Sequence, residues 1–408
     1  MKEDLSYITG NPAVLKKINV ARILHQLRFN GSASRAELAR RTRLDAKTLT
    51  NVSQTLLADG LIQCRETVAL GRGRPAENIT LNPEAAYGIG LDLGSQQVTG
   101  AVIDLAGNVQ SHFRREFDIP KDGKYLLNKA EEVLHDLLGS LTRSARKRVQ
   151  GIGFCVPGFL NREEGVVVES VNIRGFTDVP IIDQYQARFK IPVILEEASR
   201  TMALAELWFG KHKNSTHFIC IDMGIGIGMG IIHNGILYRG SREQSGEIGH
   251  TVVEPHGQVC RCGKRGCLER VASGKALSDL SLSVDLEKYK IKCVGAKAIY
   301  QAAQAGDVKA KAILRRTGEY IGIAISNVIN LFDPDLVILN GGLINAGDLL
   351  LDPLKDVIKT NCMNSKTGQV QIEISGLGNL AGAMGAAMLP LEHYFEFENI
   401  HFWPGGNR

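Results

Sequence analysis

No run of 18 uncharged apolar residues occurs in the 408-residue chain, so no segment of it reads as a membrane-crossing helix. Its start, Met1-Lys2-Glu3-Asp4, lacks the basic-then-apolar layout of a secretory leader. A disulfide framework is missing too. Cys64, Cys155, Cys220, Cys293 and Cys362 stand alone, three of them in apolar stretches that read as core, while Cys260, Cys262 and Cys267 crowd together. No low-complexity segment interrupts the chain. These absences argue against a membrane-inserted or a secreted, disulfide-stapled protein and set the expectation of a cytoplasmic one. In a reducing compartment, clustered cysteines point to a metal more than to disulfides.

What is present suits a globular chain of more than one domain. The hydrophobic fraction is 44% and the charged fraction 22%, near the values of soluble proteins. The net charge of +5 is unevenly placed: residues 1–80 hold thirteen Lys and Arg against seven Asp and Glu, which leaves the other 328 residues slightly negative. A basic N-terminal fifth suits a polyanionic partner, with a solvated basic face as the plain alternative.

Residues 11–62 predict three short helices. Apolar residues recur at helical spacing from Val14 to Leu27, and Asn30-Gly31 breaks the run. Ser34 is placed to cap a helix over Arg35–Arg41, with Glu37 as its capping-box partner, and Asp45 to cap another that runs through Leu57. Leu61–Gln63 and Glu77–Leu81 read as two strands of a hairpin with Gly71-Arg72-Gly73-Arg74-Pro75 at its tip. Two helices, a tight turn and a basic hairpin form a winged helix-turn-helix pattern. Lys47, Thr48, Thr50 and Asn51 at the start of the second helix suit base edges in a major groove. Arg35, Arg40, Arg41 and Arg43 suit phosphates, and Arg72 or Arg74 a minor groove. A small helical packing or dimerisation module is the alternative.

After Pro83 strands and helices alternate. Tyr87–Gly94 and Phe218–Ile232 each carry a strand ending in a glycine-rich turn, about 130 residues apart, which predicts a duplicated α/β lobe with a cleft between the copies. The boundaries expected are 1–82, 83–195 with a C-terminal helix over 378–395, and 196–377. Asp92-Leu93-Gly94-Ser95, Gly224-Ile225-Gly226-Ile227-Gly228 and Asn340-Gly341-Gly342 are turns whose backbone N–H groups can cradle phosphate, though tight turns between strands would look the same. Gly246-Glu247-Ile248-Gly249-His250 precedes Cys260, Cys262 and Cys267. One His and three Cys complete a tetrahedral zinc set with no position left for water, which suits a structural ion; His256 competes for the fourth place.

The winged segment with its Gly-Arg-Pro, the Pro157-Gly158 turn, the Glu-Ile-Gly-His element and Cys-x-Cys-Gly-x-x-Gly-Cys-Leu-Glu together resemble the ROK family of sugar-responsive repressors and sugar kinases, along essentially the whole chain. The resemblance implies an actin-like, sugar kinase-like body of two lobes closing on a sugar. Its sugar contacts would be Glu247, His250 and Glu269, with Asn172 and Glu197 beside them, and His250 would serve both zinc and sugar. It also implies a homodimer or tetramer with contacts in the second lobe.

The departures from the kinase pattern decide the expected activity. Kinases of the family carry Glu-Asn-Asp-Ala, whose Asp is the general base; here Glu197 replaces the Asn and Ala198 the Asp. Only a slipped alignment, with an insertion in the following helix, would make Glu197 the base. Gln96-Gln97 and Ile225 stand where the kinases have phosphate-holding Thr-Lys and Thr. A positioned base supplies on the order of 10²–10⁴ in rate, so its loss with those groups predicts a non-enzyme that still binds sugar. The expected protein is a repressor of a palindromic operator, controlled by a sugar or sugar phosphate. The rivals are an ATP-dependent kinase that kept a DNA-binding domain and a repressor sequestered by a sugar-transport protein.

Overall fold

The computed structural model describes residues 12–66, 77–117, 122–170, 172–212, 215–363 and 370–395. The N-terminal module contains α1 (Pro12–Asn30), β1 (Ala33–Ser34), α2 (Arg35–Thr42), α3 (Ala46–Ala58), β2 (Ile62–Glu66) and β3 (Glu77–Leu81). The expected caps are in place. Ser34 Oγ accepts from the Glu37 N–H at 3.3 Å, the Glu37 carboxylate accepts from the Ser34 N–H at 3.0 Å, and Asp45 accepts from the Thr48 N–H at 2.9 Å. Leu24, Leu27, Leu38, Leu49, Leu56 and Ile79 close the small core between the helices and an antiparallel sheet of order β1-β3-β2. Arg72 and Arg74 lie outside the described residues. Of the isolated cysteines, Cys155 and Cys220 are buried, Cys293 and Cys362 half-buried and Cys64 exposed, so two are core residues and not three.

The first lobe contains β4 (Tyr87–Gly94), β5 (Gln97–Asp104), β6 (Val109–Glu116), α4 (Gly123–Ser140), α5 (Arg143–Arg146), β7 (Val149–Val156), β8 (Phe159–Asn161), β9 (Val166–Glu169), β10 (Thr177–Pro180), α6 (Ile181–Phe189) and β11 (Val193–Glu197). Its main sheet has the order β11-β7-β4-β5-β6; β4, β5 and β6 run antiparallel and β7 and β11 parallel to β4. The expected boundary at 195 falls inside β11. Then come α7 (Ala198–Phe209) and the second lobe, with β12 (Phe218–Met223), β13 (Ile227–His233), β14 (Ile236–Leu237), α8 (Leu268–Ala272), α9 (Gly274–Ser281), α10 (Ala296–Gln304), α11 (Val308–Phe332), β15 (Leu336–Asn340), α12 (Asp348–Asn361) and β16 (Gln371–Ile374). The order β14-β13-β12-β15-β16, with β15 and β16 parallel to β12, repeats the first sheet strand for strand. The duplication read from the two glycine turns is therefore a duplication of topology.

Between the sheets lie α7 and α13 (Ala381–Met388). The Ala-Gly sequence of α13 rests directly on the first sheet: a Cβ at Gly90 or Gly153 would come within 1.9 Å of the carbonyls of Ala383 or Ala386. The single helix expected over 378–395 is in fact α13 followed by a 3₁₀ stretch, Leu389–Tyr394. Pro390, which has no N–H to continue the α-helical ladder, sits at that change. Among the described residues no helix is long and apolar enough to cross a membrane.

Candidate functional site

The long loop between β14 and α8 carries the His/Cys set. Val253 donates to Gly266 at 2.9 Å, Cys260 to Lys264 at 2.7 Å and Leu268 to Thr251 at 2.9 Å, so backbone bonds fold the loop on itself. Gly266 has φ +73°, and a Cβ there would meet the Glu254 carbonyl at 1.7 Å, so the fold of this loop requires glycine. The ligand atoms of His250, Cys260, Cys262 and Cys267 lie within 4.8 Å of one another, a group able to hold a metal ion. Cys262 Sγ is 3.6 Å from Cys267 Sγ, and Cys260 Sγ is 3.8 Å from His250 Nδ1. Sulfurs at ~2.3 Å from a tetrahedral zinc would be about 3.8 Å apart, so the donor spacing fits that ion. His256 is exposed and outside the group, which resolves the competition in favour of His250.

Directly beside this group the sequence-predicted sugar residues converge. Glu269 sits in the first turn of α8, two residues after Cys267, and its Oε2 accepts from the Ile227 N–H at 3.1 Å. Asn172 comes to the same spot from the first lobe: a Cβ at Gly226 would lie 2.6 Å from Glu269 Oε2 and 2.8 Å from Asn172 Nδ2. Glu247 opens to solvent at the cleft, yet protein packed around it pushes its pKa up to about 7. The nearby charges of Glu197 and Glu269 push the same way and Arg200 opposes them. The site thus gathers Asn172, Glu197, Glu247, His250 and Glu269, three carboxylates among them, which is a set suited to accepting from adjacent hydroxyls.

Glu197 has a second task. As N-cap of α7 its Oε2 accepts from the Arg200 N–H at 3.1 Å and from the Ser199 hydroxyl. Burial raises its pKa. Arg200, which sequence reading passed over, is buried and donates to the backbone carbonyls of Glu243 and Ser245, on the loop that carries Glu247. Its guanidinium also faces Glu196 at 3.6 Å, and Arg239 meets the same fully buried carboxylate at 2.9 Å from the second lobe. Arg162 joins this cluster, pairing with Glu243 at 2.9 Å. A charged cluster therefore spans the lobes behind the carboxylates.

The other end of the cleft has different furniture. Asp92 lies near the end of β4 and Asp222 near the end of β12, and burial pushes their pKa values up to about 6 and about 7. Cys155 donates its S–H to Asp92 at 3.3 Å. Ala198 packs with Cys155 and Ala386. At the first glycine turn the Gln97 amide oxygen accepts from Arg114 of β6.

On the N-terminal module, Lys47 and Asn51 are exposed along the first turns of α3, with Thr48 and Thr50 half-buried between them. The Thr50 hydroxyl donates to the Ala46 carbonyl at 2.7 Å. Arg35 opens α2, and Arg40, Arg41 and Arg43 are exposed around the turn between the helices. Gln54, also exposed and one turn beyond Asn51 on the same stripe, was missed; the spacing 47, 51, 54 would have found it.

The sequence pattern of the ROK family matches residues 88–393. A "Xylose repressor" of Bacillus spizizenii is 30% identical over 385 residues, which cover 94% of this chain and 97% of that protein. A "Glucokinase" of Halalkalibacterium halodurans is 30% identical over 313 residues, 74% of this chain and 94% of that enzyme. Among solved structures, a ROK family transcriptional regulator described as a homolog of the E. coli MLC protein superposes with a TM-score of 0.76 at 27% identity, covering 93% of this chain and 97% of its own. The repressor's 94% leaves too few residues over to omit the N-terminal module.

Proposed function

The chain belongs to the ROK family, and from that premise we propose that it is a DNA-binding transcriptional repressor of sugar uptake or catabolism genes. Its kinase-like body binds a sugar effector without phosphorylating it. Most of the weight rests on Ala198. In one chain, a methyl group stands at the position of the kinase base while Glu247, Glu269 and Asn172 still converge on the sugar side. Glu197 does not fill the gap, because one of its oxygens is committed to capping α7.

The N-terminal module works as a winged helix-turn-helix. In this reading α3 enters the major groove with Lys47, Thr48, Thr50 and Asn51, Arg35 meets phosphate, and the hairpin between β2 and β3 carries Arg72 and Arg74 to the minor groove. A palindromic operator requires two such modules, hence a homodimer or a dimer of dimers. Zn²⁺ held by His250, Cys260, Cys262 and Cys267 is structural, since four protein ligands leave no place for water or substrate. It also fixes the His250 ring beside the carboxylates.

Calorimetry with D-glucose, D-xylose and N-acetyl-D-glucosamine, run beside a coupled ADP-release assay with ATP, tests this reading. A sugar that binds without ADP release is expected. The second reading, an ATP-dependent sugar kinase that kept its DNA-binding domain, is favoured by the likeness to the glucokinase and would show as sugar-dependent ADP release. A sugar phosphate, or a sugar-transport protein that captures the repressor, is the effector to test if free sugars do not bind.

A further inference from the structure

One helix touches both the sugar side of the cleft and the N-terminal module. α7 is twelve residues long, roughly 18 Å at ~1.5 Å per residue. Its first turn lies in the cleft, with Glu197 as the cap and Arg200 bonded to the carbonyls of Glu243 and Ser245 just before Glu247. Its last turn ends at Trp208-Phe209 against α1. There the Arg28 guanidinium donates to the Trp208 carbonyl at 3.3 Å and lies 5.0 Å from the Phe209 ring centre. Phe29 stacks on Trp208 at 5.2 Å, and Phe395 packs on the same ring at 5.4 Å. Between its ends α7 is held backbone to backbone. A Cβ at Gly385 of α13 would come within 2.0 Å of the Thr201 carbonyl, and one at Gly230 of β13 within 2.6 Å of the Ser199 carbonyl.

The junction at α1 is packed but electrically unfinished. Arg28 is nearly enclosed, and burial pulls its pKa down to about 10 although Asp104 opposes the shift. Its Nε and the Trp208 indole N–H are both buried without a hydrogen-bond partner. Gly107 makes room for the guanidinium: a Cβ there would be 2.1 Å from Arg28 Nη2. Buried donors left unpaired cost free energy, so this contact is poised to rearrange in a way that a fully satisfied apolar contact is not. Elements with two closely balanced arrangements are the ones that transmit binding between distant sites.

We propose that α7 is the strut that couples sugar to DNA, gripping the Glu247 loop through Arg200 at one end and α1 through Arg28 and Trp208 at the other. The inference rests on the repressor reading above. Sugar held by Glu247 and Glu269 resets the loop that Arg200 holds, α7 moves as one body, and the seat of α1 shifts with it. Arg28 and Trp208 are positioning residues; neither touches sugar or DNA.

Two measurements on the full chain test it. Trp208 and Trp403 are the two tryptophans of the sequence, so Trp403→Phe leaves Trp208 as the sole indole reporter. Whichever of D-glucose, D-xylose or N-acetyl-D-glucosamine binds by calorimetry should shift Trp208 emission. Arg28→Gln should leave sugar affinity, and operator affinity without sugar, within about threefold of wild type. The sugar-dependent change in operator affinity, expected at roughly 5–150-fold in wild type, should fall below about twofold. If sugar binds and moves the wild-type protein on DNA while Trp208 stays silent, or while Arg28→Gln keeps the full response, the strut is wrong and the repressor reading stands. If wild type binds none of the sugars, or its DNA affinity ignores a sugar that binds, the free-sugar form of the repressor reading fails, and the strut, which needs that sugar, fails with it.

Discussion

The two ends of the cleft share a fold and have diverged in chemistry. Each lobe carries a carboxylate near the end of a strand, Asp92 or Asp222, followed by a glycine turn, as two copies of one topology should. On the proposed sugar side, Glu269, Asn172 and Glu247 converge beside the His/Cys group, and charges from both lobes stand behind them. On the proposed phosphate side Ala198 packs with Cys155 and Ala386, and Arg114 donates to the amide oxygen of Gln97 at the turn. On the proposed function, recognition and transfer are separable in this architecture. Hydroxyl recognition needs a few rigid acceptors, whereas transfer needs a base, a cation and a hydroxyl at the same instant, so transfer is lost by changes that leave binding untouched.

The sharpest way to break that contrast is to remove the proposed metal. A chelator, or Cys262→Ser, should destabilise the second lobe by at least about 3 kcal/mol, or roughly 6–12 °C in the thermal midpoint of a lobe this size, and abolish sugar binding with it. Elemental analysis of the purified protein beside calorimetric melting checks this, and an unchanged midpoint would mean that the loop stands on its backbone bonds alone. Next in size, Glu269→Gln should weaken sugar binding about 10–150-fold, the range for a lost charge-assisted hydrogen bond, while leaving the melting midpoint near wild type. A uniform loss of stability without a change in affinity would place Glu269 in the scaffold instead.

Acid should weaken the sugar side by a smaller amount. Glu247's carboxyl titrates at about 7, so below that pH it carries a proton and can no longer accept from two hydroxyls. Sugar affinity should rise with pH through about 7, and calorimetry at pH 6 and pH 8 reads it. Stability runs the other way. Glu247, Asp92 and Asp222 hold their protons more tightly folded than unfolded, so the sugar-free protein should lose stability as pH rises from about 4 to about 7. The smallest expected effect is the most informative about the phosphate side. Ala198→Asp should give no sugar-dependent ADP release above background, because the phosphate-holding groups are missing as well. Turnover in that single variant would show the phosphate side to be one residue from activity.

Local features of this chain were legible in its sequence, and long-range ones were not. The Ser34/Glu37 capping box, the Asp45 cap and the cysteine cluster depend on residues a few places apart, and each lies where the spacing puts it. The choice of His250 over His256 was open in the sequence, because both lie within reach of the cysteines and only the folded loop separates them. Arg200 looked like one polar residue in a helical run; its partners sit more than forty places away, on the loop after β14. Arg28 was only one of the thirteen cations counted in the basic N-terminal fifth, yet it is buried against Trp208, 180 residues on. Charge counted along a sequence cannot tell a solvated cation from one enclosed between aromatic rings.

The central claim is that this body senses sugar and answers on DNA. Fluorescence anisotropy of the protein on DNA from its own upstream region, at fixed salt and with D-glucose, D-xylose and N-acetyl-D-glucosamine titrated in turn, tests it most directly. The account predicts binding well above that to random DNA of equal length, and one sugar that changes it. Equal affinity for upstream and random DNA, unchanged by any sugar and accompanied by sugar-dependent ADP release, would contradict it.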